Sequence, residues 1–216
     1  MSTHTPAPRP RRVRKEPDER RDQILACARA LFSRRPYATV SNTEIAAAAG
    51  VSRGLLNHYF GTKRDLYLAA VAEMMSVPPL PVPASLADAG VRERVTQSIN
   101  AWLELLERNR ETWIAALDMS TSGGDVELDL ILDEARDRAV HHMTEVVGLT
   151  ALSHEHGEVR SAFRAYSGFA ETTTREWLKQ GRLTRSQVHL LLEEVLLNLI
   201  EEIVPRLVET AQARQG

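Results

Sequence analysis

Residues 50–60 read Gly50-Val51-Ser52-Arg53-Gly54-Leu55-Leu56-Asn57-His58-Tyr59-Phe60. Two glycines stand four apart, a small hydroxyl residue follows shortly after the first, and the tail mixes Asn, His and aromatic side chains. A helix this short does not stand alone, because isolated helices below about 12–15 residues are marginal in water. Upstream, Ser41-Asn42-Thr43-Glu44 has the form of a capping box, Ser followed three residues later by Glu, and opens a helix through EIAAAA. Gly50 ends that helix in the left-handed conformation that glycine adopts freely. Ser52 caps the next helix, which runs to Tyr59 or Phe60. Helix, tight glycine turn and helix together make a helix-turn-helix. Leu56 and Phe60 are four apart and share one face. With Val51 they can pack on Ile45, Ile24, Leu31 and Leu66, so neighbouring helices hold the short one.

That packing leaves Arg53, Gly54, Leu55, Asn57 and His58 on or near the opposite face. A merely solvated face is the plain alternative. The glycines and caps around these residues argue for a reading surface instead. Arg can donate two hydrogen bonds to guanine, Asn can pair with adenine, and Leu can meet a thymine methyl. Gly54 removes a side chain where two backbones must approach. Tyr59 and Lys63 sit at a helix end and at the next helix N-terminus, where phosphates are commonly gripped.

The rest of the chain reads as helix throughout. A first helix begins near Pro17-Asp18, where Pro suits the first turn and acids suit the positive end of the helix dipole. Ile24, Leu25, Ala28, Leu31 and Phe32 recur along it at helical spacing, and Pro36 stops it. A fourth helix opens at Thr62-Lys63-Arg64-Asp65 and runs to about residue 75. The run VPPLPVPA, residues 77–84, cannot be helical and marks a linker. Beyond it the spacing predicts helices over about 88–108, 111–119, 125–147, 157–180 and 185–210. Thr184 with Gln187 forms a second capping box at the start of the last. No strand, repeat or Gly-rich phosphate loop is read.

The chain has 216 residues, 43% of them hydrophobic and 26% charged, which supports a packed core rather than wholesale disorder. Its net charge of −2 hides an asymmetry. Residues 1–75 carry 13 basic and 7 acidic side chains, and the remainder carries 14 and 22. A basic end on an acidic body is expected to meet a polyanion. Residues 1–16 read as a disordered, Arg-rich arm, either a solubilising tail or a contact to phosphates and the minor groove. No apolar run nears the roughly 18 residues that span a bilayer, and the N-terminal charges lack the apolar stretch of a signal peptide. With one cysteine, Cys27, read as a small buried core residue, the expectation is a cytoplasmic protein without membrane contact.

From about Asp22 to Val71 the sequence resembles the DNA-binding domain of the tetracycline-repressor (TetR/AcrR) family of transcriptional regulators. The resemblance rests on ILACARALF, EIAAAAGVSRGLLNHYF and TKRDLYLAAV. Two positions depart from the family pattern: Pro36 stands where a Gly is common, and Asn57 where Tyr is usual. The remainder, 85–216, is similar in architecture, with a weaker likeness around RAYSGFAETTTREWLKQGRLT. The resemblance implies an all-α fold. A helix-turn-helix three-helix DNA-binding domain would span 17–61. A helical ligand-binding and dimerisation domain would span 62–216, with the fourth helix, 62–76, as connector. It implies a DNA-facing set of Ser41, Thr43, Ser52, Arg53, Gly54, Leu55, Asn57, His58, Tyr59 and Lys63. It further implies a homodimer on a pseudo-palindromic double-stranded operator, released by a small-molecule effector.

For the effector the candidates are Trp102, Trp113, Met119, Met143, Phe163, Tyr166 and Phe169. Each alone reads as core; together, on such a regulator, some should line a cavity. For the dimer, the last helix carries an apolar stripe wider than one neighbour covers. The expected interface is Phe169, Thr173, Trp177, Leu192, Val195, Leu196, Leu199 and Ile203. His141 and Glu145, four apart beside His142, have metal-pair spacing but lack further ligands, so no metal or other cofactor is expected. No nucleophile elbow or Gly-rich loop is present, so no catalysis is expected. A ligand-free architectural or protein-gated DNA-binding factor is the alternative to the effector-released repressor.

Overall fold

The structure is a computed structural model that describes residues 17–76, 89–121 and 126–213. The basic arm, the proline linker, and residues 122–125 at the expected start of the helix over 125–147 lie outside these residues. Every regular element among them is helical. In chain order these are α1 (Pro17–Phe32), a 3-10 turn (Tyr37–Thr39), α2 (Asn42–Ala48), α3 (Arg53–Phe60), α4 (Lys63–Ser76) and α5 (Val91–Arg108). They continue with α6 (Arg110–Thr121), α7 (Val126–Val147), α8 (Thr150–Glu155), α9 (Gly157–Leu178), α10 (Arg185–Asn198), a π turn (Leu199–Ile203) and α11 (Val204–Gln212).

The head is α1 to α3. Asp18 and Glu19 occupy the first turn of α1, and Ile24, Leu25, Ala28 and Phe32 are buried beneath it. Cys27 is half-buried at the edge of this core rather than enclosed in it. The helix ends at Phe32, four residues before Pro36, and the short 3-10 turn that follows was not expected.

α4 has no polar face over its middle. Leu66, Tyr67, Leu68, Ala70, Val71 and Met74 are all buried, because α1 covers one side and α6 and α7 cover the other. One apolar cluster therefore runs from Ile24, Ile45 and Leu56 in the head to Ala116, Leu128 and Leu132 in the body. Tyr67 lies fully inside it. Its hydroxyl donates to the Thr112 carbonyl at 2.8 Å, and its ring meets Phe32 edge-on at 5.2 Å. Burial, reinforced by the nearby Tyr37, pushes its phenol well above the usual tyrosine value. The expected boundary at residue 61 is thus a boundary in sequence, with continuous packing across it.

The body's own core is formed by α5, α7, α9, α10 and α11. A small third cluster of Met74, Leu106, Trp113, Leu117 and Leu178 joins it to the end of α4. Arg136 of α7 holds Glu171 of α9 through two hydrogen bonds, at 2.6 and 2.9 Å. Arg164 reaches back from α9 to Asp133 and Asp137. The expected single helix over 185–210 is broken by the π turn. Pro205 has no N–H to donate to a carbonyl four residues earlier, and widening the preceding turn accommodates its ring. The short α8, between Gly148 and Gly157, was also missed.

Tyr67→Phe removes only the hydroxyl and leaves a carbonyl underbonded where water cannot reach. Urea denaturation should show a loss of about 1–2 kcal/mol. An unchanged midpoint would mean that the Thr112 contact is not stabilising.

Candidate nucleic-acid interface and internal cavity

The α2–turn–α3 unit is built from local hydrogen bonds that its sequence specifies. Ser41 Oγ accepts from the Glu44 N–H at 3.2 Å, and the Glu44 carboxylate accepts from the Ser41 N–H at 2.9 Å. A bond from Arg35 at 2.8 Å, followed by the two from Ser41, holds the Glu44 carboxyl down at about 2. At the other end, Gly50 has φ +63°. Its N–H donates to the Ala47 carbonyl, and the Val51 N–H donates to the Ala46 carbonyl at 2.9 Å. These two bonds form a Schellman motif. Gln23 of α1 ties the turn down by donating to the Ala49 carbonyl at 3.0 Å. Ser52 Oγ accepts from the Leu55 N–H at 3.1 Å and starts α3.

Leu56 and Phe60 face inward, as their spacing requires. Arg53, Gly54, Leu55, Asn57 and His58 stand exposed on the outer side, and Thr43 is exposed in the first turn of α2. Ser41 and Ser52 are also exposed, with their hydroxyls engaged as caps. Tyr59 is half-buried and meets the His58 ring edge-on at 5.6 Å. Lys63 has a seat the sequence did not reveal: its ammonium lies 4.2 Å over the Tyr37 ring, and partial burial lowers its pKa. A second unforeseen contact joins the two helices, where Asn42 Nδ2 donates to Asn57 Oδ1 at 3.3 Å. Its only sequence signal was the position of Asn42 directly after a cap residue.

Inside the body lies a cavity of about 370 Å³ between α5, α7, α9 and α10. Of the expected pocket residues, Trp102, Trp113, Met143 and Tyr166 line it. Met119, Phe163 and Phe169 do not. Met119 packs against the head's core, Phe163 is fully buried in the body's core, and Phe169 faces an outer groove. The end of α4 contributes Met74, Met75 and Ser76 to the wall. Sequence reasoning also missed the polar part of the lining. Ser98 Oγ and His142 Nε2 lie 3.3 Å apart, and burial lowers the pKa of that imidazole. Tyr166 turns its hydroxyl to the Leu192 carbonyl, and Trp113 donates to Thr174 Oγ1.

The expected dimer set divides. Leu192 and Leu196 line the internal cavity, and Thr173 is buried with its hydroxyl donating to the Phe169 carbonyl. These three are enclosed in the protomer and unavailable to a partner. The wide stripe has two sides: Val188, Leu192 and Leu196 point in, while Leu191, Val195 and Ile203 are 38 to 41% exposed. Val195, Ile203, Leu199 and Phe169 line an apolar groove of about 490 Å³ on the outside of α9 and α10, and Trp177 is half-buried on α9. His141 meets Glu145 at 3.3 Å on an exposed face, and no group of three potential metal ligands assembles among the described residues. No helix among them is long and apolar enough to cross a membrane.

Residues 24–70 match the model of the bacterial regulatory proteins of the tetR family. The regulator BetI of Rhizobium meliloti is 31% identical over 145 residues, covering 65% of this chain and 69% of that protein. The chain therefore belongs to the tetR family. It spans less than half of two other relatives, 44% of the regulator HbdR of Aromatoleum and 43% of the activator FasR of Mycolicibacterium smegmatis. Among solved structures, a tetR-family regulator from Streptomyces coelicolor superposes with a TM-score of 0.67 at 24% identity, covering 92% of this chain and 90% of that one. The Thermus thermophilus repressor FadR, solved with lauroyl-CoA, gives 0.62 at 20% identity over 84% and 93%.

The two glycines of the reading unit should respond in opposite ways to alanine. Gly50→Ala keeps open space around its Cβ yet must hold φ +63°, which costs about 1–2 kcal/mol. Gly54→Ala sits in a helix with its nearest neighbour 3.9 Å away, and should stabilise by about 0.5–1 kcal/mol. Chemical denaturation of both variants checks the pair; equal shifts would contradict the turn geometry.

Proposed function

We propose that the protein is a transcriptional regulator that binds a pseudo-palindromic operator as a homodimer, acts as a repressor, and is released by a small apolar or aromatic effector. The observation that carries this reading is the joint placement of two features. A capped helix-turn-helix presents Arg53, Leu55, Asn57 and His58 outward. The cavity is walled by the far end of the helix that is packed solidly onto that reading head. The structural likeness to a family repressor solved with an acyl-CoA supports a ligand-holding body of this shape.

In this reading α3 lies in the major groove. Arg53 and Asn57 read bases, while Thr43, Tyr59 and the helix N-termini meet phosphates. Arg53→Ala should cost about 1–3 kcal/mol on the cognate site and relax preference at one base position, measured by selection from a random operator library followed by titration. Wild-type affinity and selectivity in that variant would remove Arg53 from the reading set.

The apolar groove on α9 and α10 is the proposed dimer face, with each copy offering the same patch to the other. Val195→Asp places a charge on that face without entering the core. It should yield folded monomers by sedimentation, whereas Leu196→Asp should unfold the chain. A folded Val195→Asp dimer would place the interface elsewhere.

An effector between α5 and α7 touches Met74 and Met75. Because α4 is buried against α1 on its other side, a shift of α4 carries the head with it. Two half-sites fix the spacing of two recognition helices to about one helical turn or a multiple, so a small displacement lowers operator affinity. A coupling of about 1–3 kcal/mol changes affinity 5- to 150-fold, and operator must weaken the effector by the same factor. Calorimetry of an effector into free protein and into the operator complex tests the scheme. Equal affinities would favour a regulator without a ligand switch.

A further inference from the structure

We propose that the internal cavity selects an anionic amphiphile, with its apolar body among the α5, α7 and α10 side chains and its acidic head on Arg108. This rests on the reading of the cavity as the effector site and specifies the chemistry of what enters it.

The apolar part is plain from the wall. Val95, Ile99, Leu132, Val146, Leu192 and Leu196 supply aliphatic surface, and a volume of about 370 Å³ lies within the usual range for small-molecule sites. The charge follows from the ionisable lining. Four arginines border the space, Arg94, Arg108, Arg136 and Arg138, against one carboxylate, Glu171. Glu171 is taken, because Arg136 grips both of its oxygens. Burial lowers the pKa of the His142 imidazole and so disfavours its charged form, and with Ser98 it offers hydrogen bonds.

A cation in this cavity would find no free carboxylate and a surplus of positive charge. The Trp102 and Trp113 rings stand edge to face, 6.3 Å apart. Trp113 is 4% exposed, so it offers little free face for an aromatic cage. An anion, by contrast, has a receptor. The Arg94 guanidinium is spent on the Val146 and Ala89 carbonyls, and Arg138 has Glu134 at 3.7 Å. Arg108, exposed at the cavity rim in the last turn of α5, makes no ion pair or side-chain hydrogen bond among the described residues. A guanidinium with its fork unoccupied at the edge of an apolar space is suited to a carboxylate or phosphate whose tail lies within.

The test uses the full-length protein and three probes that share one tail: decanoate, decanol and decyltrimethylammonium, each below its micelle concentration at low salt. Calorimetry should rank decanoate first, about tenfold or more above decanol, with the ammonium weakest. Arg108→Gln should bring decanoate down to the level of decanol and leave decanol unchanged. Unchanged decanol binding also shows that the variant's cavity is intact. An ammonium that binds as tightly as decanoate would overturn the proposal. So would decanol matching decanoate in the wild type, or an Arg108→Gln variant with undiminished decanoate affinity. These titrations contain no DNA. A wild-type protein that binds decanoate yet ignores every operator fragment would defeat the regulatory reading and leave the ligand class standing.

Discussion

The burial of α4 between α1 of the head and α6 and α7 of the body is the constraint from which the rest follows. A helix that ends a small DNA-reading head would ordinarily keep one polar face. Here Leu66, Tyr67, Leu68, Ala70, Val71 and Met74 are all enclosed, and Tyr67 spends its hydroxyl on a carbonyl of α6. Close-packed interiors transmit displacement because they have no slack to absorb it. The head is therefore mounted on the body through one continuous core, and α4 reaches past that core to the cavity wall.

The cavity and the cores around it are made from similar residues, and what distinguishes them is where polar groups remain. In the solid core Tyr67 has an enclosed partner in the Thr112 carbonyl, and on the cavity wall Trp113 and Tyr166 are satisfied in the same way by Thr174 and the Leu192 carbonyl. At the same wall the Ser98–His142 pair spans 3.3 Å, and Arg108 at the rim makes no ion pair or side-chain hydrogen bond among the described residues. A buried polar group with room beside it is one that a ligand can complete. The π turn at the end of α10 belongs to the same economy of space. Leu199 and Ile203, four apart across it, both line the outer groove, the first buried and the second exposed.

Local chemistry made the reading head legible in advance. Caps, a left-handed glycine and the four-residue spacing of Leu56 and Phe60 depend on residues within one or two turns of each other, and such interactions form wherever the chain goes. Each of them stands in the structure. The Lys63 ammonium over Tyr37, the Gln23 tie to Ala49 and the Asn42–Asn57 bond join residues 15 to 26 apart, and no short window contains them.

In the body the same divide is sharper. Sequence by itself determined the helical class, most helix positions and the amphipathic character of α5 and α9, because period and propensity are properties of short segments. Whether an apolar side chain fills a core, lines a cavity or faces a partner is decided by which helix lies opposite, and that information is not local. Phe163 and Tyr166 sit one turn apart on α9; one is solid core and the other borders the cavity. Leu192 and Val195 are three apart on α10, and one turns inward and the other outward. Only the crossing of α5, α7, α9 and α10 assigned these roles, since a stripe fixes which face of a helix is apolar but not how many neighbours will cover it.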